Sequence, residues 1–275
     1  MSSKLQKDAP VLIVGGGPVG MTMALCLAKR GISSYLVELR TADALPDVKC
    51  NHIASRSMEL FRSLGISQDL RAAGLPDDYP HDVSYRTSTL GEEIARIHIP
   101  GRSTRLTDHS GPDGNWPTPE PPHRLNQRYI EPILRRHVQK QALITCLHRH
   151  QVMAFSQDEQ GVTAYIQNLE LPDTPALTLN AAYMVGCDGG RSMVRKGIGA
   201  KLVGDEVVQR VQSTCIRAPH LKALMKAPPA WAMFTVNPKR SGNIYAIDGK
   251  EVWLIHNYLR DHEADFEAVD RDWAI

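Results

Sequence analysis

The stretch Val11-Leu12-Ile13-Val14-Gly15-Gly16-Gly17-Pro18-Val19-Gly20-Met21 decides the fold, because a short apolar run breaks there into glycines. The run is too short for a helix and rich in β-branched residues, so it predicts a buried strand. Residues 18–30 are apolar on nearly every face, which predicts a buried helix. Gly15 permits a tight turn, Gly17 lets the backbone approach a pyrophosphate, and Gly20 lets the helix lie close to the strand. Strand, turn and helix together predict a phosphate-binding element.

An acidic residue follows at the distance that dinucleotide-binding folds use. A second apolar segment, residues 34–37, ends in Glu38, which lies 23 positions after Gly15. In such folds a carboxylate about 20 residues after the first glycine reaches a ribose hydroxyl. Ala24, one helical turn beyond Gly20, keeps the packing face of the helix small. These features favour dinucleotide binding over a glycine-rich turn that only packs.

The composition is that of a soluble globular protein. The chain has 275 residues, of which 42% are hydrophobic and 23% charged, and this length suits one large or two ordinary domains. The net charge of +2 predicts no nucleic-acid partner. No apolar run approaches the roughly 18 residues of a membrane span, and residues 1–8 lack the apolar core of a secretion signal.

The cysteines and histidines predict neither disulfides nor a metal site. Five cysteines lie at positions 26, 50, 146, 187 and 215, without a CxxC pair. Such a scattered, odd set is typical of reduced thiols in a cytoplasmic protein. His148 and His150 share one face of a predicted strand, but no further ligand accompanies them. We therefore interpret the two histidines as a surface pair.

A predicted helix over residues 55–65 carries a candidate cofactor ligand. Met58, Phe61 and Leu64 recur at every third position, Ser55 can cap the start, and Gly65 can terminate the helix. Arg56 then lies in the first turn, where free backbone N–H groups already favour an anion. It is either a surface arginine or a ligand of a cofactor phosphate.

The remaining patterns predict further elements in chain order. They are a hairpin over residues 83–99, a surface loop over 101–123, a helix from about residue 128 with Pro132 in its first turn, a strand over 142–147 and a hairpin over 151–168. Antiparallel strands follow over 231–236, 243–247 and 251–257, with Asp248-Gly249 as the turn between the last two. A polar helix is predicted from about residue 265, and we expect the chain to be truncated inside it.

A second strand, glycine turn and helix lies between these segments. The apolar residues 182–187 end in Asp188-Gly189-Gly190-Arg191-Ser192, and a short helix carrying Arg195 follows. Such a turn can bring another set of backbone amides to a phosphate. Asp188 and Gly189 could instead form only a turn, and Arg195 could be a solvated helix residue.

The motifs together resemble those of the single-component flavoprotein aromatic hydroxylases, the group that includes p-hydroxybenzoate and phenol hydroxylases. The resemblance covers most of residues 10–260. It is carried by Gly15-x-Gly17-x-x-Gly20 with Glu38, by Ala-Ser-Arg-Ser-Met-Glu at 54–59, by Arg124-x-x-Gln127, and by Asp-Gly-Gly-Arg-Ser-x-x-Arg at 188–195. Ordinary nicotinamide dehydrogenases have the first motif and none of the others.

The resemblance implies an FAD site in this chain. FAD would bind across the glycine loop, with Glu38 on the adenosine ribose. Arg56 and Gln127 would contact the FAD phosphates and ribose region. The Asp188-Gly189 segment would lie against FAD and is also implicated in the use of NADPH.

The resemblance also implies a reaction. In such enzymes NADPH reduces the flavin, oxygen forms a flavin hydroperoxide, and that species hydroxylates an activated phenolic ring. The cofactor carries the chemistry, while the protein orients it and keeps water away. We therefore predict no catalytic side-chain triad. The aromatic side chains of the later strands are interpreted as core packing and not as catalytic residues: Tyr245, Trp253, His256 and Tyr258.

One family motif has no counterpart in the sequence. It is a Gly-Asp at a strand end, followed by a histidine-proline segment and a long helix, and it holds the flavin end of the cofactor. Gly204-Asp205 follows no buried strand and does not match it. A non-catalytic FAD-binding fragment is therefore an alternative to a monooxygenase. A nicotinamide-dependent dehydrogenase is a less favoured one.

The sequence thus predicts an α/β protein of two domains. Residues 1–200 are expected to form a Rossmann-like FAD-binding domain of glutathione-reductase-like topology. Residues 201–275 are expected to form an incomplete antiparallel-sheet substrate-binding domain, to which the hairpin near 83–99 contributes. The predicted cofactor-binding residues are Gly15, Gly17, Pro18, Val19, Gly20, Glu38, Leu39, Arg40, Arg56, Arg124, Gln127, Asp188, Gly189 and Arg195.

The predicted ligands follow from the same resemblance. FAD is the resident cofactor, and NADPH (or NADH) is the transient electron donor. A small aromatic compound and O2 are the expected substrates. Neither nucleic acid, nor a membrane, nor a metal ion is expected as a partner. A homodimer is a possible assembly.

Overall fold

A computed structural model of the chain describes residues 9–205, 207–260 and 263. It divides the chain into two compact units. The first unit comprises Met1–Pro46 and Ile130–Val203, and the second comprises Asp47–Tyr129 and Gly204–Ile275. One division between the units falls between residues 203 and 204, close to the domain boundary predicted near residue 200. The sequence patterns place residues 47–129, apart from the hairpin, in the first domain, whereas in the structure they group with the second unit.

The helices and strands of the described residues are numbered in chain order. They are β1 (Ala9–Val14), α1 (Pro18–Ala28), β2 (Ser34–Glu38), α2 (Ser55–Ser63), α3 (Ser67–Arg71), β3 (Val83–Arg86), β4 (Glu93–Ile97), α4 (Gln127–Gln139), β5 (Ile144–His148), β6 (His150–Asp158), β7 (Gly161–Asn168), β8 (Leu177–Gly186), α5 (Met193–Gly197), β9 (Val211–Arg217), α6 (Leu221–Leu224), β10 (Ala232–Thr235), β11 (Gly242–Ala246) and β12 (Val252–Tyr258).

The first unit is built on a six-stranded mixed sheet with the order β5-β2-β1-β8-β7-β6. Strands β5, β2, β1 and β8 are parallel, whereas β7 pairs antiparallel with β8 and with β6. In the parallel part Val14 lies opposite both Val37 and Gly186. The carboxyl ends of β2, β1 and β8 are therefore level, and the loops that leave them meet at one edge. The predicted Rossmann-like α/β architecture is confirmed.

The sequence explains why this sheet forms. Parallel strands covered on both faces are continuous apolar runs, and Leu12 and Ile13 of β1 are fully buried. Leu12 and Val14 belong to an apolar cluster that also contains Ile166 of β7 and Val194 of α5. Helix α1 presents Gly20, Met21, Ala24, Leu25 and Ala28 as its buried residues, as the run of small and apolar side chains predicts.

The second unit is built on a six-stranded sheet with the order β4-β3-β10-β11-β12-β9. Four of its pairings are antiparallel, and β3 with β10 is parallel. One face carries Met233, Ile244, Ala246 and Trp253, which belong to an apolar cluster with Leu75 and Tyr79. Trp253 is fully buried there, so its predicted packing role is confirmed.

The other face of this second sheet is aromatic and half-buried. Tyr245 lies opposite Ala232 and Leu254, and Asn243 lies opposite Phe234 and His256. Directly opposed residues share a face, so Tyr245, Phe234 and His256 lie on the face away from Trp253. The sequence patterns predict core packing for Tyr245, His256 and Tyr258. That expectation is wrong, because all three side chains remain partly exposed.

Several local expectations need correction. Ala54, not Ser55, is the N-cap residue of α2, and no side chain caps that helix. Pro132 lies inside α4, in its second turn, because the helix begins at Gln127. Asp248 and Gly249 lie in a five-residue connection between β11 and β12, where the Asp248 carboxylate accepts hydrogen bonds from three backbone amides. The predicted helix near residue 265 lies outside the described residues.

The sequence patterns missed three elements, α3, β9 and α6. The two helices have only five and four residues, so they hold too few turns to show a helical period. Among the residues that the structure describes, no helix combines the length and the apolar character that crossing a bilayer requires.

Candidate functional site

The glycine turn after β1 is so tightly packed that two of its positions admit no side chain. Gly15 has φ +104°, and a Cβ added there would lie 2.4 Å from the carbonyl oxygen of Cys187. A Cβ added at Gly20 would lie 1.8 Å from the carbonyl oxygen of Gly15. The Gly15 amide donates to the Val37 carbonyl oxygen at 2.8 Å. The turn is thus held between β2 and the end of β8 by backbone contacts.

Gly17 differs from both, because it opens on free space. No described atom lies within 4 Å of a Cβ added at Gly17, and its φ of −72° is ordinary. Gly17 is the N-cap of α1 and Pro18 is its first residue, so the helix begins without a side-chain cap. Val19, next in the first turn, is 70% exposed. The first amides of a helix have no intrahelical acceptor, which makes this 11-residue helix start a site for an anion.

Glu38 is fixed beside the turn by two of its neighbours. One carboxylate oxygen accepts a hydrogen bond from the Gly16 amide at 2.6 Å. The other accepts from the backbone amide and from Nε of Arg40, both at 3.0 Å. Leu39 between them is half exposed. The acid is therefore oriented at the tip of β2, as the spacing predicted.

Arg40 also faces a second, fully buried carboxylate. Its Nη2 lies 3.3 Å from Oε2 of Glu131 on α4, and Arg135 lies 3.7 Å from the same oxygen. Burial alone would lower the pKa of Arg40, but Glu38 and Glu131 outweigh it and raise that pKa. The sequence patterns gave no reason to single out Glu131, because it occupies an ordinary position of an amphipathic helix.

A cavity of about 190 Å³ opens beside Glu38 in the first unit. Gly16, Glu38 and Arg40 line it on one side, and Cys146 and His148 of β5 line it on another. The Nδ1 atom of His148 is buried and has no hydrogen-bond partner among the described residues. The cavity can take a small flat group with a polar edge.

Asp188 and the second turn lie next to the glycine turn. The Cys187 amide donates to the Val14 carbonyl oxygen at 2.7 Å, which continues the β1–β8 pairing up to Asp188. One carboxylate oxygen of Asp188 accepts from the amides of Met193 and Val194 at 2.7 and 3.3 Å and so caps α5. Its other oxygen, Oδ1, is buried without a hydrogen-bond partner in the described structure. That oxygen is an acceptor that the described residues leave unused.

The rest of the second turn has structural roles. Gly189 has φ +80°, a conformation that side chains rarely adopt. The Ser192 hydroxyl accepts from the Arg195 amide at 2.9 Å, and the Arg195 guanidinium donates to the Gly190 carbonyl oxygen at 2.8 Å. Arg195 therefore stabilises the loop in this structure.

Two predicted residues of the second unit lie at helix starts. Arg56 is in the first turn of α2, its side chain is 84% exposed, and it pairs with Glu59. Gln127 is the first residue of α4, and its amide donates to the Cys50 carbonyl oxygen at 2.7 Å. Asn126, which the sequence patterns missed, accepts from the Arg128 amide at 2.9 Å and so caps α4.

Arg124 is buried inside the second unit. Its guanidinium donates to the Asp113 carboxylate and lies 4.5 Å from the centre of the Trp231 ring. A second buried guanidinium, that of Arg105, donates to the backbone carbonyl oxygen of Asp113. The segment 101–123 has no helix or strand, as predicted, but the expectation of a plain surface loop is wrong because Arg105 is only 4% exposed.

Two histidines of this unit are buried and neutral. Burial lowers the pKa of His81 to about 3, with Arg124 as the next cause. Burial likewise lowers the pKa of His123 to about 4, with Arg71 as the next cause. His81 and His123 are each 3% exposed. No group of three or more His, Cys, Asp or Glu side chains in the described parts of the chain is arranged to hold a metal ion.

The fold and the first-unit geometry define a class of protein. Two strand–turn–helix motifs of the first unit meet at the carboxyl edge of its parallel strands. The first has the open start of α1 and the oriented Glu38 carboxylate, and the second has Asp188, of which only one carboxylate oxygen accepts hydrogen bonds from the described residues. This is the arrangement of a dinucleotide-binding α/β protein. The chain belongs to the family described as "FAD binding domain", whose family model matches residues 8–273.

Proteins of similar sequence are flavoenzymes of the same kind. An FAD-dependent monooxygenase of Emericella nidulans, apdD, is 27% identical over 269 residues, which are 94% of this chain and 42% of that protein. The phenol 2-monooxygenase of a Pseudomonas species is 31% identical over 198 residues, 71% of this chain and 31% of that enzyme. The chain therefore spans less than half the length of these relatives. Its family is one of flavoenzymes named as monooxygenases and hydroxylases.

A solved structure agrees over nearly the whole chain. The rebeccamycin biosynthetic enzyme RebC with reduced flavin superimposes with a TM-score of 0.81 at 31% identity. The match covers 94% of this chain and 48% of that one. The resemblance to flavoprotein aromatic hydroxylases stated from the sequence is thereby confirmed.

Two glycine substitutions should separate folding from ligand binding. We expect Gly20→Ala to lower the free energy of unfolding by about 2 kcal/mol or more, because its Cβ meets the Gly15 carbonyl oxygen. Gly17→Ala should lower it by no more than about 1 kcal/mol, because the added methyl group meets no described atom and only a favourable N-cap residue is lost. It should nevertheless weaken FAD binding about tenfold or more, since the methyl group fills the open space over α1. Urea unfolding and FAD titration measure the two effects, and equal stability losses would contradict this assignment.

The buried histidines predict an acid-sensitive fold. The pKa of His81 is below its ordinary value in the folded chain, so the unfolded chain binds the proton first as the pH falls. Between pH 7 and 5 this should remove about 2 kcal/mol of stability. Over the same pH range, the free energy of unfolding of His81→Gln should fall by about 2 kcal/mol less than that of the unsubstituted chain. His220→Gln, at an exposed histidine, is the matched control. An unchanged pH slope in His81→Gln would refute the prediction.

Proposed function

We propose that the protein is an FAD- and NADPH-dependent monooxygenase that hydroxylates a phenolic or other aromatic compound. The observation that carries the proposal is that the turns after β1 and β8 lie side by side in the first unit. The open start of α1 at Gly17 is at the same edge of the sheet as Asp188, whose Oδ1 atom is buried and has no hydrogen-bond partner among the described residues. The described residues fit the adenosine and diphosphate half of FAD.

The glycine turn would hold the diphosphate of FAD. Gly15 and Gly20 set the turn, and the backbone N–H groups of Val19 and Gly20 would donate to the phosphate oxygens. Pro18 has no N–H and begins the helix there. The space over Gly17 lets the diphosphate approach the backbone, since no described atom occupies it. The positive end of α1 stabilises the negative charge.

Glu38 would accept hydrogen bonds from the adenosine ribose. Its carboxylate is already oriented by the amides of Gly16 and Arg40, so little ordering is needed when FAD binds. Leu39 and Arg40 continue past it, and the cavity bounded by Arg40 and His148 has room for the adenine ring. The unpaired Nδ1 atom of His148 would meet the polar edge of that ring.

The Asp188 turn would bind the part of FAD beyond the diphosphate. Oδ1 of Asp188 would accept from a hydroxyl of the cofactor, which removes the cost of a buried unpaired acceptor. Gly189 keeps the backbone free of a side chain at this point. Arg195 would act indirectly, by holding the turn through the Gly190 carbonyl oxygen.

The second unit contributes Arg56 and Gln127 to the proposal, on the strength of the family resemblance. Arg56 is 84% exposed at a helix start, so its guanidinium is accessible to a phosphate. Gln127 is the first residue of α4. We leave Arg124 out of the cofactor set, because Asp113 and Trp231 hold its guanidinium group.

FAD supplies the redox chemistry when it is bound, with NADPH as electron donor and a flavin hydroperoxide as the hydroxylating species. The side chains of this chain bind and orient the cofactor and exclude water from it. No side chain is assigned a catalytic role. A cytoplasmic location is part of the proposal, and the five free cysteines, typical of reduced thiols, support it.

FAD uptake tests the cofactor half of the proposal. The purified chain should show flavin absorbance or acquire it on titration with FAD. Glu38→Gln should weaken FAD binding about 10- to 100-fold, because it replaces charged hydrogen bonds to the ribose by neutral ones. Glu159→Gln, an exposed turn residue of the same unit, is the matched control. A chain that takes up no FAD at millimolar concentration contradicts the proposal.

Turnover tests the reaction half. NADPH oxidation by the FAD-loaded protein should accelerate when phenol is added, with oxygen consumed and a hydroxylated product formed. NADH should support a slower rate. Equal rates with NADH would show that the donor assignment is wrong. Phenol-independent oxidation without product would show that the protein binds FAD but does not hydroxylate phenol.

A further inference from the structure

The segment 101–124 of the second unit brings two buried guanidinium groups to one aspartate. Arg105 donates to the Asp113 backbone carbonyl oxygen, and Arg124 donates to the Asp113 carboxylate. The two arginines are 4% and 7% exposed. Arginine does not lose its proton in proteins, so two buried positive charges share the Asp113 carboxylate, and Asp108 is a further acidic neighbour of Arg105.

The neighbouring histidine does not change this balance. His81 is 3% exposed, and burial together with the charge of Arg124 keeps it neutral. Its Nε2 atom is buried without a hydrogen-bond partner among the described residues. His81 therefore adds neither a positive charge nor a counter-charge to the two guanidinium groups.

Each guanidinium group also has a donor that is not used. Nη1 of Arg105 and Nε of Arg124 are buried and have no hydrogen-bond partner among the residues that the structure describes. A buried donor without an acceptor costs about 1–3 kcal/mol, and more when it carries charge. An oxygen acceptor that reached both donors would remove this cost, and an anionic oxygen would do so most effectively because both donors carry charge.

An aromatic surface adjoins Arg124. The guanidinium lies over the Trp231 ring, whose centre is 5.1 Å from that of Tyr245. Tyr245 in turn lies 5.6 Å from the His256 ring, edge to face. Tyr245 and His256 lie on the half-buried face of the second sheet, and Trp231 contacts Tyr245 from the residue before β10. A flat ring can pack on them at aromatic contact distances.

We propose that Arg105 and Arg124 bind the oxyanion, a carboxylate or a phenolate, of an aromatic compound whose ring packs against Trp231 and Tyr245. This inference rests on the proposed function, because it assigns the charged group of the aromatic substrate. A carboxylate suits the site better, since its two oxygens can each take one of the two unused donors.

Binding of matched probes to the FAD-loaded chain tests the proposal. The probes are 3-hydroxybenzoate, its neutral amide 3-hydroxybenzamide, and pentafluorophenol, which is a phenolate at pH 7. Quenching of tryptophan fluorescence and calorimetry give the dissociation constants. We expect at least one of the two anions to bind about tenfold or more tightly than the amide. The anion that does so identifies the oxyanion. Anions that bind no better than the amide overturn the proposal.

Substitutions then connect the preference to the two arginines. Arg105→Gln and Arg124→Gln should each weaken binding of the preferred anion about 10- to 100-fold, with binding of the amide little changed. A loss shared equally by the anion and the amide indicates a structural role and overturns the proposal. Arg217→Gln is the matched control, because its side chain is 75% exposed in the same unit. If Arg124→Gln does not fold, Arg105→Lys carries the test, since it keeps the charge and removes Nη1.

FAD titration of the same variants separates this inference from the proposed function. Both arginine variants should bind FAD as the unsubstituted chain does. FAD affinity that falls in parallel with anion affinity would show that the arginines hold a cofactor phosphate, which overturns the inference and leaves the FAD site supported. A chain that binds the anions but takes up no FAD would overturn the proposed function and leave the oxyanion site intact.

Discussion

The contact between the start of α1 and the turn before it sets the geometry of the first unit. A Cβ at Gly20 would lie 1.8 Å from the Gly15 carbonyl oxygen, so helix and turn meet backbone to backbone. This approach aims the first amides of α1 over the edge of the sheet. The Gly15 amide binds the end of β2, and the Cys187 amide binds the end of β1. Three strand ends and one helix start are thereby fixed together.

Two carboxylates flank this helix start, and they differ in how far the protein satisfies them. Glu38 accepts hydrogen bonds at both oxygens, from Gly16 and Arg40, and Arg40 is held in turn by Glu131. Asp188 uses one oxygen to cap α5 and leaves the other buried without a partner. The first acid is oriented before a ligand arrives. The second retains an unsatisfied acceptor, which a ligand hydroxyl would relieve.

The parts of this arrangement that depend on local spacing could be predicted from the sequence. Gly15, Gly20 and Glu38 are linked by one strand, one turn and one helix, and the lengths of these elements fix where the acid lies. The same holds for the second strand, glycine turn and helix around Asp188. The faces of the second sheet could not be predicted, because Tyr245 lies between Ile244 and Ala246 and Trp253 lies between Val252 and Leu254. Neither strand therefore shows an alternation of apolar and polar residues that would identify its buried face. Only the pairing register places Tyr245 and Trp253 on opposite faces.

The arginine pair lay beyond the sequence patterns for a different reason. Segment 101–123 is rich in proline and glycine and has no period, and such composition is typical of an exposed loop. Its burial depends on Asp113 returning to Arg105 and Arg124, contacts that no spacing rule describes.

If Arg105 and Arg124 had only a structural role, they would hold the loop through their hydrogen bonds to Asp113. One arginine bound to Asp113 would be enough for that role. A second buried guanidinium adds desolvation cost, and its unused donor adds more. The pair leaves Nη1 of Arg105 and Nε of Arg124 without an acceptor among the described residues. These unused donors, with Arg124 next to the ring of Trp231, are the physical ground for assigning the cluster to a ligand as well as to the fold.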